Sequence, residues 1–180
     1  MSRLGRPRAL SHATLEEAAN ELFLEQGYAN TSVDDIAARA GVSRATFFNY
    51  FDQKSDLLFV SVDQAIDAVE IAAESGRSLQ EALQEVADTI SRSGVPLVAT
   101  QAEAMGALED ALGAAPARLL RLRQIVSLLV PEPVWQWAIA GAVAEGAMEW
   151  ATSPPGTTNL VETIEARVAL LQDFPAGYFW

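Results

Sequence analysis

The sequence predicts an all-α protein of about nine helices, in a small N-terminal domain (residues 1–55) and a larger helical domain (56–180). Three observations predict it. Apolar residues recur at the 3, 4, 7 and 8 offsets of a helix face through most of the 180 residues. No segment sustains the apolar–polar alternation of a half-buried strand. Glycine and proline stand between the periodic stretches, where helices start and stop.

The elements follow in order. In "LEEAANELFLEQGY", Leu15, Ala18, Ala19, Leu22 and Phe23 share one helical face, and Gly27 stops the helix. "TSVDDIAARAG" opens with Thr31 and Ser32, each with an Asp three residues on, a capping-box pattern with Asp in place of Glu. Gly41 ends that helix, and Ser43 caps the next, "RATFFNY". A long helix is expected from about Lys54 to Glu74, closed by Gly76, and then an amphipathic one over "SLQEALQEVADTISRSG". "LVATQAEAMGALEDAL" is expected to run to Gly113, and Pro116 to open "ARLLRLRQIVSLLV", which Pro131 and Pro133 break. "VWQWAIAGAVAEGAMEWA" is the longest apolar helix, and after the loop "TSPPGTT" the last helix covers "NLVETIEARVALLQDF".

Composition narrows the function. There is no Cys and a single His, His12, so thiol chemistry and multi-His or thiolate metal sites are excluded within one chain, and neither metal nor cofactor is expected. No phosphate-binding loop or distinctive carboxylate pair argues for an enzyme. No uncharged apolar run reaches about 18 residues, so no membrane span is expected. The expected location is the cytoplasm. The formal net charge is −12, unevenly spread: residues 1–60 carry six basic and eight acidic side chains, and the rest carry six and sixteen.

Residues 31–54 carry the functional signal. Ile36 and Ala40 point inward on one short helix, and Ala37 is small where a second helix must cross. Gly41 takes the turn, Val42 plugs it, and Phe47 and Phe51 form the inward face of the second helix, a helix-turn-helix arrangement. The same apolar positions would serve any helical hairpin. The outward face says more. With Phe47 and Phe51 inside, Arg44, Thr46, Phe48, Asn49 and Tyr50 remain outside. Arg can grip guanine O6 and N7 in a bidentate pair, Thr can touch a thymine methyl, and Asn can bond an adenine edge. Asn, Tyr and Lys54 can also bond phosphates. Phe48 or Tyr50 could instead pack on the first helix. The stretch "RLGRPR" is a basic arm, and Arg6 and Arg8 are candidates for a minor groove or for a plain solvated terminus.

The run "LEEAANELFLEQGYANTSVDDIAARAGVSRATFFNYFDQKSDLL" resembles the DNA-binding region of the TetR (tetracycline-repressor) family of transcriptional regulators, over roughly residues 5–60. The resemblance places base and phosphate contacts on Ser32, Ser43, Arg44, Ala45, Thr46, Phe48, Asn49, Tyr50 and Lys54. Two residues depart from the family pattern: Asp34 stands where many relatives carry Arg, and Phe48 where Tyr is frequent. The resemblance also implies that the remainder senses a ligand and dimerises. Its implied partners are a double-stranded operator, a second copy of the chain and a small-molecule effector, with no membrane.

In the larger domain, small residues crowd "WAIAGAVAEGAMEW" and let helices approach closely. With the last helix, they are expected to form a four-helix dimer bundle through Ala138, Gly141, Ala142, Glu145, Val161, Ile164 and Val168. Met105, Trp135, Trp137, Met148 and Trp150 are candidates to wall a ligand pocket, and equally to be plain core. Three arginines on one helix (Arg118, Arg121, Arg123) keep an anionic ligand open, but a neutral or cationic apolar molecule is expected. The function that follows is a homodimeric repressor released from a palindromic operator by an apolar ligand. The alternative is a helical adaptor, or a regulator that binds DNA without an effector.

Overall fold

The computed structural model describes residues 8–93, 101–154 and 156–171. Among these residues the protein is helical throughout, with no strand. The elements are α1 (Arg8–Gln26), α2 (Val33–Arg39), α3 (Arg44–Phe48), a 3-10 helix (Lys54–Phe59), α4 (Val60–Glu74), α5 (Leu79–Ser93), α6 (Leu108–Ser127), α7 (Pro133–Thr152) and α8 (Leu160–Ala169).

The chain divides into two compact units. The first runs to Val60 and takes in Gln101–Ala114; the second begins at Ser61 and omits that segment. The chain crosses between units inside α4 and inside α6.

Three elements differ from expectation. The helix expected from Lys54 begins as a 3-10 helix and becomes α only at Val60. The reason lies in burial: Leu57, Leu58, Phe59 and Val60 are all buried in succession, which one face of an α-helix cannot provide. The break expected at Gly113 falls at Gly106, which adopts φ +68 and lets Ala107 N–H return to the Ala102 carbonyl at 2.8 Å. Pro116 opens no helix, because α6 passes through both Gly113 and Pro116. An interior proline frees the carbonyl four residues back. Here that carbonyl belongs to Leu112, on an exposed turn open to water, while buried Ala111 and Ile125 hold the helix on either side.

The first unit is built on Leu15, Ala19, Phe23, Ile36, Phe47 and Leu57, all at most 2% exposed. Tyr28, just after α1, donates its backbone N–H to the Met105 carbonyl at 2.7 Å and ties in the inserted segment. Burial and the negative charge of Asp110 push the Tyr28 phenol up to about 12. The second unit packs Ile66, Val69 and Ala72 of α4 with Leu83 and Val86 of α5, Ile125 of α6, Val143 of α7 and Leu160 and Ile164 of α8. Arg118 bonds Asp63 through two nitrogens at 2.9 and 2.6 Å, and Arg121 pairs with Asp67 at 2.6 Å and with Glu70, so α4 carboxylates neutralise both. No helix among the described residues is long and apolar enough to cross a membrane.

Candidate nucleic-acid interface

The interface begins with two serine caps. Ser32 is extended at φ −94, ψ 160, and its hydroxyl accepts the Asp35 N–H at 3.1 Å, while the Asp35 carboxylate accepts the Ser32 N–H at 2.9 Å. The Ser32 hydroxyl also donates to that carboxylate at 2.6 Å, and this bond, with the one from the Ser32 N–H, holds the Asp35 carboxyl below the usual carboxylate range. Ser43 repeats the device on α3, where its hydroxyl accepts the Thr46 N–H at 3.1 Å and meets the Thr46 hydroxyl at 2.8 Å. Between the two helices, Gly41 turns at φ +67, and Val42 N–H closes on the Ala37 carbonyl at 2.9 Å. A left-handed turn at that point favours glycine.

The turn fixes which side chains face out. Phe47 is fully buried and Phe51 is 6% exposed, so α3 is pinned by both. Arg44, Ala45, Phe48 and Asn49 are exposed, and Thr46 and Tyr50 are half-buried. Tyr50 stands edge-on to His12 at 6.2 Å and so leans on α1, whereas Phe48 stays outside. Phe48 lies edge-on to Phe47 at 5.2 Å and carries the Arg44 guanidinium 5.2 Å from its ring centroid.

The cations of this unit whose side chains are described, Arg39, Arg44 and Lys54, are engaged within it. Arg39 grips Glu25 at 2.7 Å and Glu21 at 3.0 Å, joining α2 to α1 and lowering the Glu25 pKa. Arg44 Nη1 donates to Asp34 Oδ2 at 2.7 Å across the turn. Lys54 Nζ donates to the carbonyls of Tyr28 at 2.7 Å and Thr31 at 2.9 Å, over the Tyr28 ring at 3.8 Å. Burial pushes the Lys54 ammonium pKa down. Lys54, expected at a phosphate, clamps the chain between α1 and α2 through these carbonyls. Ser32 and Ser43, also expected at DNA, hold helix ends. Arg8 opens α1 instead of lying in an arm, and Arg6 lies outside the described residues.

Residues 15–60 match the family model described as bacterial regulatory proteins, tetR family. The helix-turn-helix region belongs to the TetR family. Among curated relatives, the transcriptional regulator MftR of Mycobacterium tuberculosis is 43% identical over 54 residues, 30% of this chain and 27% of the relative. The HTH-type transcriptional regulator HbdR of Aromatoleum sp. is 42% identical over 53 residues, 29% of this chain and 23% of the relative. The chain thus matches only about a quarter of the length of these relatives, at the TetR-family DNA-binding region. The crystal structure of FadR from Thermus thermophilus, a TetR-family transcriptional repressor in complex with lauroyl-CoA, has a TM-score of 0.52 at 24% identity, covering 89% of this chain and 93% of that one. That likeness gives the TetR fold. The family is one of transcriptional regulators, not of enzymes.

The residues proposed from sequence for the second TetR function, sensing and assembly, fall as follows. Met105 is buried in the first unit, whereas Trp135, Trp137 and Met148 are 45, 48 and 53% exposed on α7, and Trp150 packs against the second unit's core. Met105 thus belongs to one unit and the four other side chains to the other. A shallow groove of about 460 Å³ beside the start of α8, lined by Glu149, Asn159, Glu162, Arg167 and neighbours, contains none of them. Of the expected dimer residues, Ala138, Gly141 and Ala142 are half-buried and Glu145 is exposed. Val161 and Ile164 are buried in the chain's own core, because α8 turns its apolar face onto α7, and Val168 packs beside them. Within the chain, then, Val161 and Ile164 serve the core, and Val168 is half-buried at its edge. Sequence reading missed the Asp34–Arg44 pair, whose only signal was two opposite charges on neighbouring outward faces, and the Lys54 clamp, for which there was none.

Proposed function

We propose that the protein is a homodimeric, cytoplasmic repressor that grips a palindromic operator with two copies of α3 and leaves it when a small apolar ligand binds. The observation that carries this reading is the outward face of α3. Arg44, Ala45 and Asn49 stand clear of the core, with Thr46 half-buried beside them, on a helix pinned by Phe47 and Phe51. A rigid helix bearing Arg, Thr and Asn is equipped to read base edges in a major groove. The acidic bulk of the chain does not forbid it. Charges more than a Debye length away, about 8 Å at physiological ionic strength, are largely screened from the DNA.

Dimerisation is supported by α7. Val134, Trp137, Ala138, Gly141, Glu145 and Met148 follow one another at helical spacing on its less buried side. A stripe of that length, apolar but for Glu145, invites a second copy. The ligand reading is supported by the neutralisation of Arg118 and Arg121, which leaves Arg123, 5.5 Å from the Trp137 ring centre, as the one α6 arginine with no carboxylate partner among the described residues, and so favours a neutral or cationic molecule over a strongly anionic one. Release is a population shift: the ligand must prefer the conformation in which the two reading heads no longer match the groove.

Selection of binding sites from a random duplex library tests the proposal. Half-sites related by two-fold symmetry, with centres about 34–36 Å or a multiple apart, are expected. A single, non-repeated site would overturn the dimeric reading, and no enrichment would overturn DNA reading itself.

A further inference from the structure

We propose that Asp34 is a specificity-determining residue, which reserves Arg44 for a base edge by denying it to phosphates. The inference rests on the proposed reading of DNA by α3. Arg44 is the first residue of α3 and is held on two sides: its Nη1 donates to Asp34 Oδ2 at 2.7 Å, and its guanidinium lies 5.2 Å from the centre of the Phe48 ring. Both members of the ion pair are exposed, at 56 and 65%, so neither is shaped by the core. Among the described residues, no other partner engages the guanidinium. Its Nε and Nη2 are left as one open edge.

That edge suits guanine. A guanidinium offers five donors in a planar fork, and two adjacent donors satisfy O6 and N7 together. Arg44 can bind guanine through Nε and Nη2 while Nη1 stays on Asp34. A phosphate is a different guest. It would bring a negative charge beside the Asp34 carboxylate, and it would compete with that carboxylate for the same cation. Arg44 therefore favours a neutral acceptor edge over an anionic one. Preordering adds to this: a long side chain already fixed by Asp34 and Phe48 loses less rotamer freedom on docking.

The surroundings make the effect large relative to total affinity. Arg39 and Lys54, the other described cations of residues 12–60, are held by Glu21, Glu25 and backbone carbonyls. Among the described residues, then, a cation released from its partner would be a proportionally large addition to the charge offered to phosphates. Non-specific binding is almost wholly phosphate-driven, whereas specific binding is not. Removing the Asp34 charge should therefore raise the first more than the second.

The test compares wild type, Asp34→Asn, Asp34→Ala and Arg44→Ala by fluorescence anisotropy, on the library-selected duplex and on a scrambled one, across a salt series. Asp34→Asn keeps an acceptor for Nη1 and removes the charge. It should raise affinity for the scrambled duplex about three- to fivefold and steepen its log–log salt slope by about 0.9, with specific affinity little changed. Asp34→Ala should do the same and also lose specific affinity, because Arg44 is no longer fixed. Thermal unfolding of each variant separates these effects from a loss of fold. An unchanged ratio of specific to scrambled affinity in Asp34→Asn would overturn the proposal. Arg44→Ala separates the two readings: if it relaxes sequence preference while Asp34→Asn changes nothing, only the role of Asp34 fails. If Arg44→Ala leaves preference intact, base reading by Arg44 fails and this proposal with it.

Discussion

Gly146→Ala adds one methyl group where α7 and α8 meet closely. Gly146 is buried on α7, and a Cβ there would sit 2.7 Å from Cα of Ile164 and 3.1 Å from its N and Cγ1. Two of those atoms are backbone, so no rotamer change relieves the clash, and α7 and α8 must separate. Overpacking of this kind costs about 1–3 kcal/mol. The same substitution gains about 1 kcal/mol of helix propensity in a helix interior. The net expectation runs from no change to a loss of about 2 kcal/mol, or a fall in Tm of up to about 4–8 °C for a chain of this size. Gly113→Ala supplies the reference. Gly113 lies inside α6, and a Cβ there would meet nothing within 4 Å, so only the propensity gain applies and Tm should rise by about 2–4 °C. The difference between the two variants isolates packing, because propensity is common to both. Both are measured by thermal unfolding followed by circular dichroism at one protein concentration. If Gly146→Ala is as stable as Gly113→Ala, α7 and α8 do not meet at Gly146, and Ile164 and Val161 are not buried between them.

Lys54→Met removes the clamp on the Tyr28 and Thr31 carbonyls and should cost about 1–3 kcal/mol in thermal unfolding; if those carbonyls and no phosphate hold the ammonium on DNA, the salt slope of DNA binding should stay as it was. His12 has a pKa lowered from 6.5 by burial, so the unfolded chain binds more protons below that value. Its contribution to stability is full above pH 6.5 and is lost as pH falls through the folded value. Tm should drop from pH 7 to pH 5, and His12→Asn should flatten the drop. Glu16, raised by burial above 4.5, works in the opposite sense, its stabilising term growing as pH falls towards 4.5, so the His12 variant should expose a slight rise. Ala138→Glu places a charge on the less buried side of α7 and should yield monomers in sedimentation velocity without loss of helicity; a persistent dimer would move the interface elsewhere.

The helix-turn-helix was legible because backbone chemistry writes it directly. Gly41 at a left-handed turn, serines at the two caps, and Phe47 and Phe51 four apart each leave a local signature. The course of α6 was not legible, because Gly113 and Pro116 are local breakers overridden by the burial of Ala111 on one side and Ile125 on the other. Burial in three dimensions also redirected α8, whose Val161 and Ile164 could have faced either a partner or α7 by periodicity alone. Among the candidate site residues, the outward set on α3 followed from geometry. What Arg44 and Lys54 touch depended on Asp34 and on two carbonyls 23 and 26 residues away, beyond the reach of helical spacing.

The central claim is that α3 reads DNA through Arg44. The most direct test measures wild type and Arg44→Ala on the selected duplex and on its single-base variants at fixed salt. Wild type should discriminate against a change at one guanine by about 1–3 kcal/mol, and Arg44→Ala should bind all variants alike at that position. Equal discrimination by the two proteins at every position would contradict it.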